Sequence, residues 1–133
     1  MKVIHTSGKR KRAIARVSIK EGKGVVKINN LNLDSFQPNF AKMKIKEPLI
    51  IAGDIANKVD IQINVNGGGV VSQAEASRLA VARALVEYSK GDKLKEEFLN
   101  YDRHLLVADT RRKEASKPNR HGQARAKRQK SYR

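Results

Sequence analysis

The chain has no cysteine, no tryptophan and only three prolines in 133 residues. Without thiols, disulfides and thiolate metal sites are excluded, and a cytosolic setting is the default. The three histidines, His5, His104 and His121, stand far apart without metal-ligand spacing, so neither zinc nor any other metal or cofactor is expected. No stretch reaches the ~18 apolar residues of a membrane span, and no basic helix carries a Trp or Phe face, so a membrane partner is not expected. The opening MKVIHTSGK lacks the apolar core of a signal peptide. Aromatics are few, three Phe and three Tyr, and most fall at core-like positions, which argues against a base-stacking platform for single strands. Acids are scarce: 13 against 29 Lys and Arg, a net charge of +16.

The surplus is spread over two parts. Residues 1–110 carry 19 basic and 12 acidic residues, and residues 111–133 carry ten basic and one acid, Glu114. The latter segment, RRKEASKPNRHGQARAKRQKSYR, has no Leu, Ile, Val, Phe or Met. It cannot bury enough apolar surface to offset its ordering entropy, so alone in water it is expected to be disordered. Fully extended, it spans roughly 75 Å at ~3.3 Å per residue. Self-repulsion of this size calls for a polyanion, and guanidinium forks match phosphate oxygens. The expected organisation is a globular anchor over 1–110 and an extended basic tail over 111–133.

Within the anchor, residues 3–20 read as an interrupted strand, with Ala13, Ala15, Val17 and Ile19 alternating against Ile14, Arg16, Ser18 and Lys20. A Glu-Gly-Lys-Gly turn leads to a return strand over 25–28, and 29–39 reads as a loop. The spacing of Phe40 with Met43 and of Ile45 with Leu49 predicts a helix over 40–51, kinked or ended by Pro48. Residues 59–66 are the clearest strand: Val59, Ile61, Ile63 and Val65 face one way, and Asp60, Gln62, Asn64 and Asn66 face a solvent or partner side.

Three glycines precede a helix over 71–90, whose apolar half holds Ala74, Leu79, Val81, Ala82, Leu85, Val86 and Tyr88, with Arg83, Glu87 and Lys90 opposite. Arg78 falls inside the apolar half and is expected to snorkel to an edge rather than meet an anion. Gly91 suits the end of that helix, and Asp92 the N-cap of a second helix over 92–99 with Leu94 and Phe98 inward. Residues 101–108 are short and irregular. The fold class is therefore α+β, a small two-layer sandwich with a mostly antiparallel sheet and helices on one face.

No catalytic constellation is present. Gly67-Gly68-Gly69 fits neither G-x-G-x-x-G nor G-x-x-x-x-G-K-[ST]. It reads better as a tight strand-to-helix connection needing positive φ or close approach, compatible with backbone contact to phosphate. Ser72 and Ser77 read as helix-start and surface residues. Three basic clusters remain: Lys9, Arg10, Lys11 and Arg12 with Arg16; Lys42, Lys44 and Lys46, which equally suit a solvated face; and the tail. Phosphate and shape recognition of folded RNA is favoured. A DNA-compacting protein explains the charge equally well, and a nucleotide-using enzyme would need a second substrate lobe for which the chain is too short.

The stretch GGGVVSQAEASRLAVARAL, Gly67 to Leu85, resembles the signature of the universal small-subunit ribosomal protein S-nine family. GKRKRAIARV from Gly8 resembles that family's basic strand entry, with Arg12 where Thr is common. MKIKEPL from Met43 is similar to the family too, and the ending QKSYR is similar to its archaeal and eukaryotic branch, where bacterial members tend to end SKR. The resemblance covers nearly the whole chain and is weakest over 114–123.

It implies a non-enzymatic constituent of the small-subunit head. The implied fold is a four-stranded sheet packed with helices, like the second domain of ribosomal protein S-five. The implied partners are small-subunit ribosomal RNA, neighbouring small-subunit ribosomal proteins and the peptidyl-site tRNA. The expected ribosomal RNA contacts are Lys9, Arg10, Lys11, Arg12, Arg16, Gly67, Gly68, Gly69, Gln73, Arg83, Arg111, Arg112, Lys113, Lys117, Arg120, Arg125, Lys127 and Arg128. Lys130, Ser131, Tyr132 and Arg133 are expected at the tRNA anticodon stem-loop, Arg133 on a backbone phosphate, with Tyr132 in place of a bacterial Lys.

Overall fold

A computed structural model describes residues 2–119 together with 124 and 125. The interrupted strand at the start is two strands, β1 (Ile4–Arg10) and β2 (Ala13–Glu21), paired antiparallel from Ile4 opposite Ile19 to Arg10 opposite Ala13. Next come β3 (Val26–Ile28), β4 (Leu31–Asn32) and β5 (Val59–Asn66). The sheet order is β1-β2-β5-β3-β4, antiparallel except where β3 runs parallel to β5.

The sheet thus has five strands among the described residues, not four. The additional one is β4, inside the stretch read as a loop. Asn29 and Asn30, with φ of 48° and 70°, form the two-residue turn that joins β3 to β4. Two consecutive positive φ angles are what a type I′ hairpin requires, and asparagine tolerates them. The Asn29 side chain also accepts from Val65 N–H at 3.0 Å and donates to Val65 C=O at 3.3 Å, tying the turn to β5.

The helices are α1 (Asn39–Ala52), α2 (Asp54–Asn57), α3 (Val70–Ser89) and α4 (Asp92–Tyr101). Single 3₁₀ turns lie at Leu33–Ser35 and Arg103–Leu105. On β2 and β5 every second residue is buried: Ala13, Ala15, Val17 and Ile19, then Val59, Ile61, Ile63 and Val65. These meet the helices in one hydrophobic core, which also takes in Ile45, Leu85, Leu94, Phe98 and Leu105. The alternating residues Ile14, Arg16, Gln62, Asn64 and Asn66 face away, so among the described residues one face of the sheet is uncovered.

α3 is the centre of the molecule. It packs on β1, β2 and β5 below and on α1 and α4 beside it, so it buries Ala74, Ala76 to Ala82, Ala84 and Leu85 rather than a single stripe. Ser77, expected at the surface, is buried, and its hydroxyl has no hydrogen-bond partner. Gly8 permits this depth: a Cβ there would meet the Ala76 carbonyl and lie 2.8 Å from Ala80 N. Thr6 Oγ1 donates to Ala80 C=O at 2.9 Å beside it. Small residues on α3 and a glycine on β1 bring helix and strand backbones together.

Other expectations change in detail. Pro48 lies inside α1, which continues to Ala52; Ala41, Ile45, Pro48 and Ala52 are its buried face, and Phe40 and Met43 point outward. Tyr101 is exposed as well, so Phe98 is the only fully buried aromatic among the described residues. Lys90, not Gly91, takes the left-handed turn that ends α3, at φ 57°, and Gly91 rather than Asp92 is the N-cap of α4.

Arg78 does not snorkel. It is 8% exposed, and its guanidinium meets carboxylates from α1 and from the end of α4: Nε to Glu47 Oε2 at 2.8 Å and Nη2 to Asp102 Oδ2 at 3.0 Å. A desolvated cation needs partners, and α1 and α4 supply them from far off in sequence. Burial alone would raise the Asp102 carboxyl pKa, but the His104 N–H and Arg78 outweigh that and hold it below the usual range.

Candidate nucleic-acid interface

β1 and β2 are joined by two residues only, Lys11 and Arg12, both exposed. Lys11 sits at φ 53°, a conformation that costs an L-residue with a Cβ about 1–2 kcal/mol. Glycine would fill this position without strain, and a lysine there keeps a charge at the tip at the expense of stability.

Beside the tip lies the glycine connection from β5 to α3. Gly67 and Gly68 have φ of 80° and 65°. A Cβ on Gly67 would stand 2.5 Å from the Arg12 carbonyl oxygen, and one on Gly68 3.1 Å from Ala13 N. The glycines therefore supply both positive φ and close approach of the loop to the hairpin. Gln73 Nε2 donates to Gly67 C=O at 3.1 Å and closes the loop over the first turn of α3. The amides at the start of α3 are thereby presented next to the basic tip, and helix N-termini favour anions.

The third component is the chain leaving the core. Asp109 lies between two arginines. Arg10 Nη1 is 2.5 Å from Asp109 Oδ2, and Arg111 donates from its backbone N–H, Nε and Nη2 at 2.7–3.1 Å. Arg111's side-chain and backbone bonds hold the Asp109 carboxyl far below the usual carboxylate range, and Asp109 in turn raises the Arg111 pKa. Arg10 Nε also meets Glu75 Oε2 on α3 at 2.7 Å. Arg83 donates to Leu106 C=O at 3.2 Å and to Ser7 C=O at 3.1 Å, fastening the exit segment to β1.

Together these parts enclose an open groove of about 870 Å³. Arg10, Lys11 and Arg12 line it from the hairpin, Gly68, Gly69 and Ser72 from the loop and α3, and Arg111 to Ser116 from the exit segment. Its acid, Glu114, is paired with Arg125 at 2.9 Å. Lys11, Arg12 and Lys113 have no side-chain partner among the described residues. The groove presents fixed cations, free helix-start amides and a glycine floor, a combination suited to a phosphate backbone.

Of the residues expected on RNA, Lys9 is exposed next to the tip, and Arg10, Lys11, Arg12, Gly67, Gly68, Gly69, Arg111, Arg112 and Lys113 gather in or beside this groove. Arg16 is elsewhere, on the uncovered face of the sheet. Gln73 and Arg83 are engaged within the chain. Lys117 is exposed beyond the groove and Arg125 is paired with Glu114. Arg120, Lys127, Arg128, Lys130, Ser131, Tyr132 and Arg133 lie outside the described residues, as does His121. Of the lysines on α1, Lys44 approaches Glu75 at 3.8 Å, Lys46 approaches Asp34 at 3.2 Å, and Lys42 donates to the Asp34 carbonyl at 3.4 Å.

The acids that orient this basic site, Asp109 and Glu75, were not legible as such. The partner they share on β1, Arg10, is 65 residues from Glu75 and farther still from Asp109, and the sole local sign is Asp109 standing two residues before Arg111, at the start of the basic run. Among the described residues no three His, Asp or Glu side chains are placed to hold a metal ion, and no helix is long and apolar enough to cross a membrane.

Comparison with known proteins agrees with the signature around the glycine loop. The family model described as ribosomal protein S9/S16 matches residues 8–133. The small ribosomal subunit proteins uS9 of two Methanococcus maripaludis strains, C7 and C5, are each 52% identical to this chain over the full length of both proteins. That of Methanococcus vannielii is 49% identical over the same extent. A match of this length and identity has one reading: the chain belongs to the ribosomal protein S9/S16 family, a structural and non-enzymatic one.

Proposed function

We propose that this protein is a structural constituent of the small ribosomal subunit, in the cytoplasm, lodged on ribosomal RNA in the subunit head beside neighbouring ribosomal proteins. The residues up to 110 act as the anchor and 111–133 as an extended arm. The observation that carries the reading is the groove in which Lys11, Arg12, Lys113 and the α3 amides converge. Lys9, Arg10, Arg111 and Arg112 add to its field, and Lys117, Arg120, Arg125, Lys127 and Arg128 continue the contact along the arm. Arg16 contributes from the sheet. Gln73 and Arg83 serve as positioning residues, holding the glycine loop and the exit segment. The last four residues, Lys130, Ser131, Tyr132 and Arg133, touch the anticodon stem-loop of the peptidyl-site tRNA. Phosphate contacts carry no base information, which suits a grip that must accept every tRNA.

Two measurements test this. The protein should co-sediment with small subunits and resist a high-salt wash. Deleting residues 130–133 should leave assembly intact and weaken tRNA binding at the peptidyl site; tRNA affinity unchanged at several salt concentrations would refute the tail's role.

A further inference from the structure

The side of the sheet turned away from the helices has no covering element among the described residues. Its side chains form rows across the strands. Ser7, Arg16 and Asn64 stand opposite one another on β1, β2 and β5, as do Lys9, Ile14 and Asn66. His5, Ser18, Gln62 and Lys27 make a row four strands wide. We propose that this face is a second RNA-binding surface, seated on the phosphates and 2′-hydroxyls of a double-helical RNA segment and separate from the groove.

The distribution of partners motivates this. On the helix side Arg10, Arg78 and Arg83 are all bonded to groups of the chain. On the open face the side chains of Lys9, Arg16, Lys27, Asn64 and Asn66 have no partner among the described residues. The single acid of this face among the described residues, Asp60, is already engaged at its far end: its carboxylate accepts the Lys23 and Val25 N–H groups at 2.9 and 3.1 Å, and Lys20 stands opposite. The field is therefore positive where the face is open.

The side-chain types narrow the partner. Asparagine is a poor strand former, yet Asn64 and Asn66 occupy exposed positions of a central strand. Such a local conflict is expected where binding takes precedence over stability. Amides and hydroxyls both donate and accept, matching the 2′-hydroxyl. No Phe, Tyr or Trp is on these rows to stack on an unpaired base, and the ring of His5 is tied to Ser18 Oγ at 3.0 Å. Ile14, 38% exposed, is the only large apolar side chain among them, too little for the apolar centre of a protein interface. Five strands at ~4.8 Å make a platform roughly 20 Å wide. A broad platform of polar and cationic side chains fits the wide, shallow minor groove of A-form RNA, whereas the deep, narrow major groove would not admit it.

The test uses the full chain and a small-subunit ribosomal RNA head fragment, with backbone footprinting. One variant carries Arg16→Gln and Asn64→Asp on the open face; another carries Lys11→Ala and Arg12→Ala in the groove. Unchanged thermal unfolding establishes that each is folded, and Lys27→Gln alone serves as a second face variant should the first unfold. The face variant is expected to bind on the order of tenfold more weakly and to lose protection of one double-helical segment while keeping the groove's protection. Duplex RNA should compete better for this face than duplex DNA. If only the groove variant loses affinity and protection, the open face is not an RNA surface, while the groove reading stands. If neither variant changes, both fail. If RNA binding by the face variant is unaltered but a neighbouring ribosomal protein is lost from assembled subunits, the face binds protein and the proposal is overturned.

Discussion

Lys11 shows how one side chain can be retained against its own backbone. At φ 53° it forgoes the ease that glycine would have. Lys11→Gly should therefore raise the stability of the free protein by about 0.5–1 kcal/mol and weaken RNA binding, as read by denaturant midpoint and filter binding. A variant that is less stable, or binds RNA equally well, would remove the case for a functional strain at the tip. Arg78 makes the opposite trade. Arg78→Met leaves Glu47 and Asp102 without their cation, but each side chain keeps about a third of its exposure. The expected loss is about 1–3 kcal/mol, less than for a fully buried pair.

Asp60 gives a pH signature. The Lys23 and Val25 N–H groups hold its folded pKa below the ordinary 3.8. A depressed carboxyl stabilises the fold fully above the unfolded value and loses this contribution as pH falls through the folded value. The difference in unfolding temperature between wild type and Asp60→Ala should thus be constant from pH 7 to pH 5. It should shrink only below about pH 4. A gap that widens in acid would contradict the assigned bonds.

At the scale of elements, period and spacing revealed much. The alternation in β2 and β5 and the i, i+4 pair Leu94 and Phe98 identified buried faces because those elements present one side to a single neighbour. α3 did not obey that logic. Enclosed by the sheet, α1 and α4, it is buried almost all round, so Ser77 and Arg78 went inside. The Arg78 partners come from α1 and the end of α4, and no local pattern encodes a pairing 24 or 31 residues distant. β4 was missed for another reason: it is two residues long, and the sign for it was the Asn-Asn turn rather than a hydrophobic run. The packing of α3 on β1 makes its own prediction. Gly8→Ala pushes a Cβ into helix backbone that cannot give way and should destabilise by about 1–3 kcal/mol. A variant as stable as wild type in urea would show that the two backbones can separate.

Across the whole molecule, charge is partitioned. The cations that brace the core are paired with acids or carbonyls, while Lys11, Arg12 and Lys113 at the tip and groove, and Lys9, Arg16 and Lys27 on the open sheet face, have no side-chain partner among the described residues. The basic clusters themselves were evident in the sequence, and so was the glycine loop. Their convergence was not, because the groove depends on Gly67 lying against Arg12 and on Asp109 drawing the exit segment toward Arg10. The net charge of +16 is tolerable in a compact state when a polyanion supplies the balance.

The salt dependence of binding to the ribosomal RNA head fragment tests that balance most directly. Wild type and a variant with Lys11→Ala, Arg12→Ala and Lys113→Ala would be titrated across salt concentrations. Three lost phosphate contacts should make the log–log slope shallower by about two to three, with a parallel loss of affinity at low salt. The same slope and affinity in both proteins would contradict a groove that grips RNA phosphates.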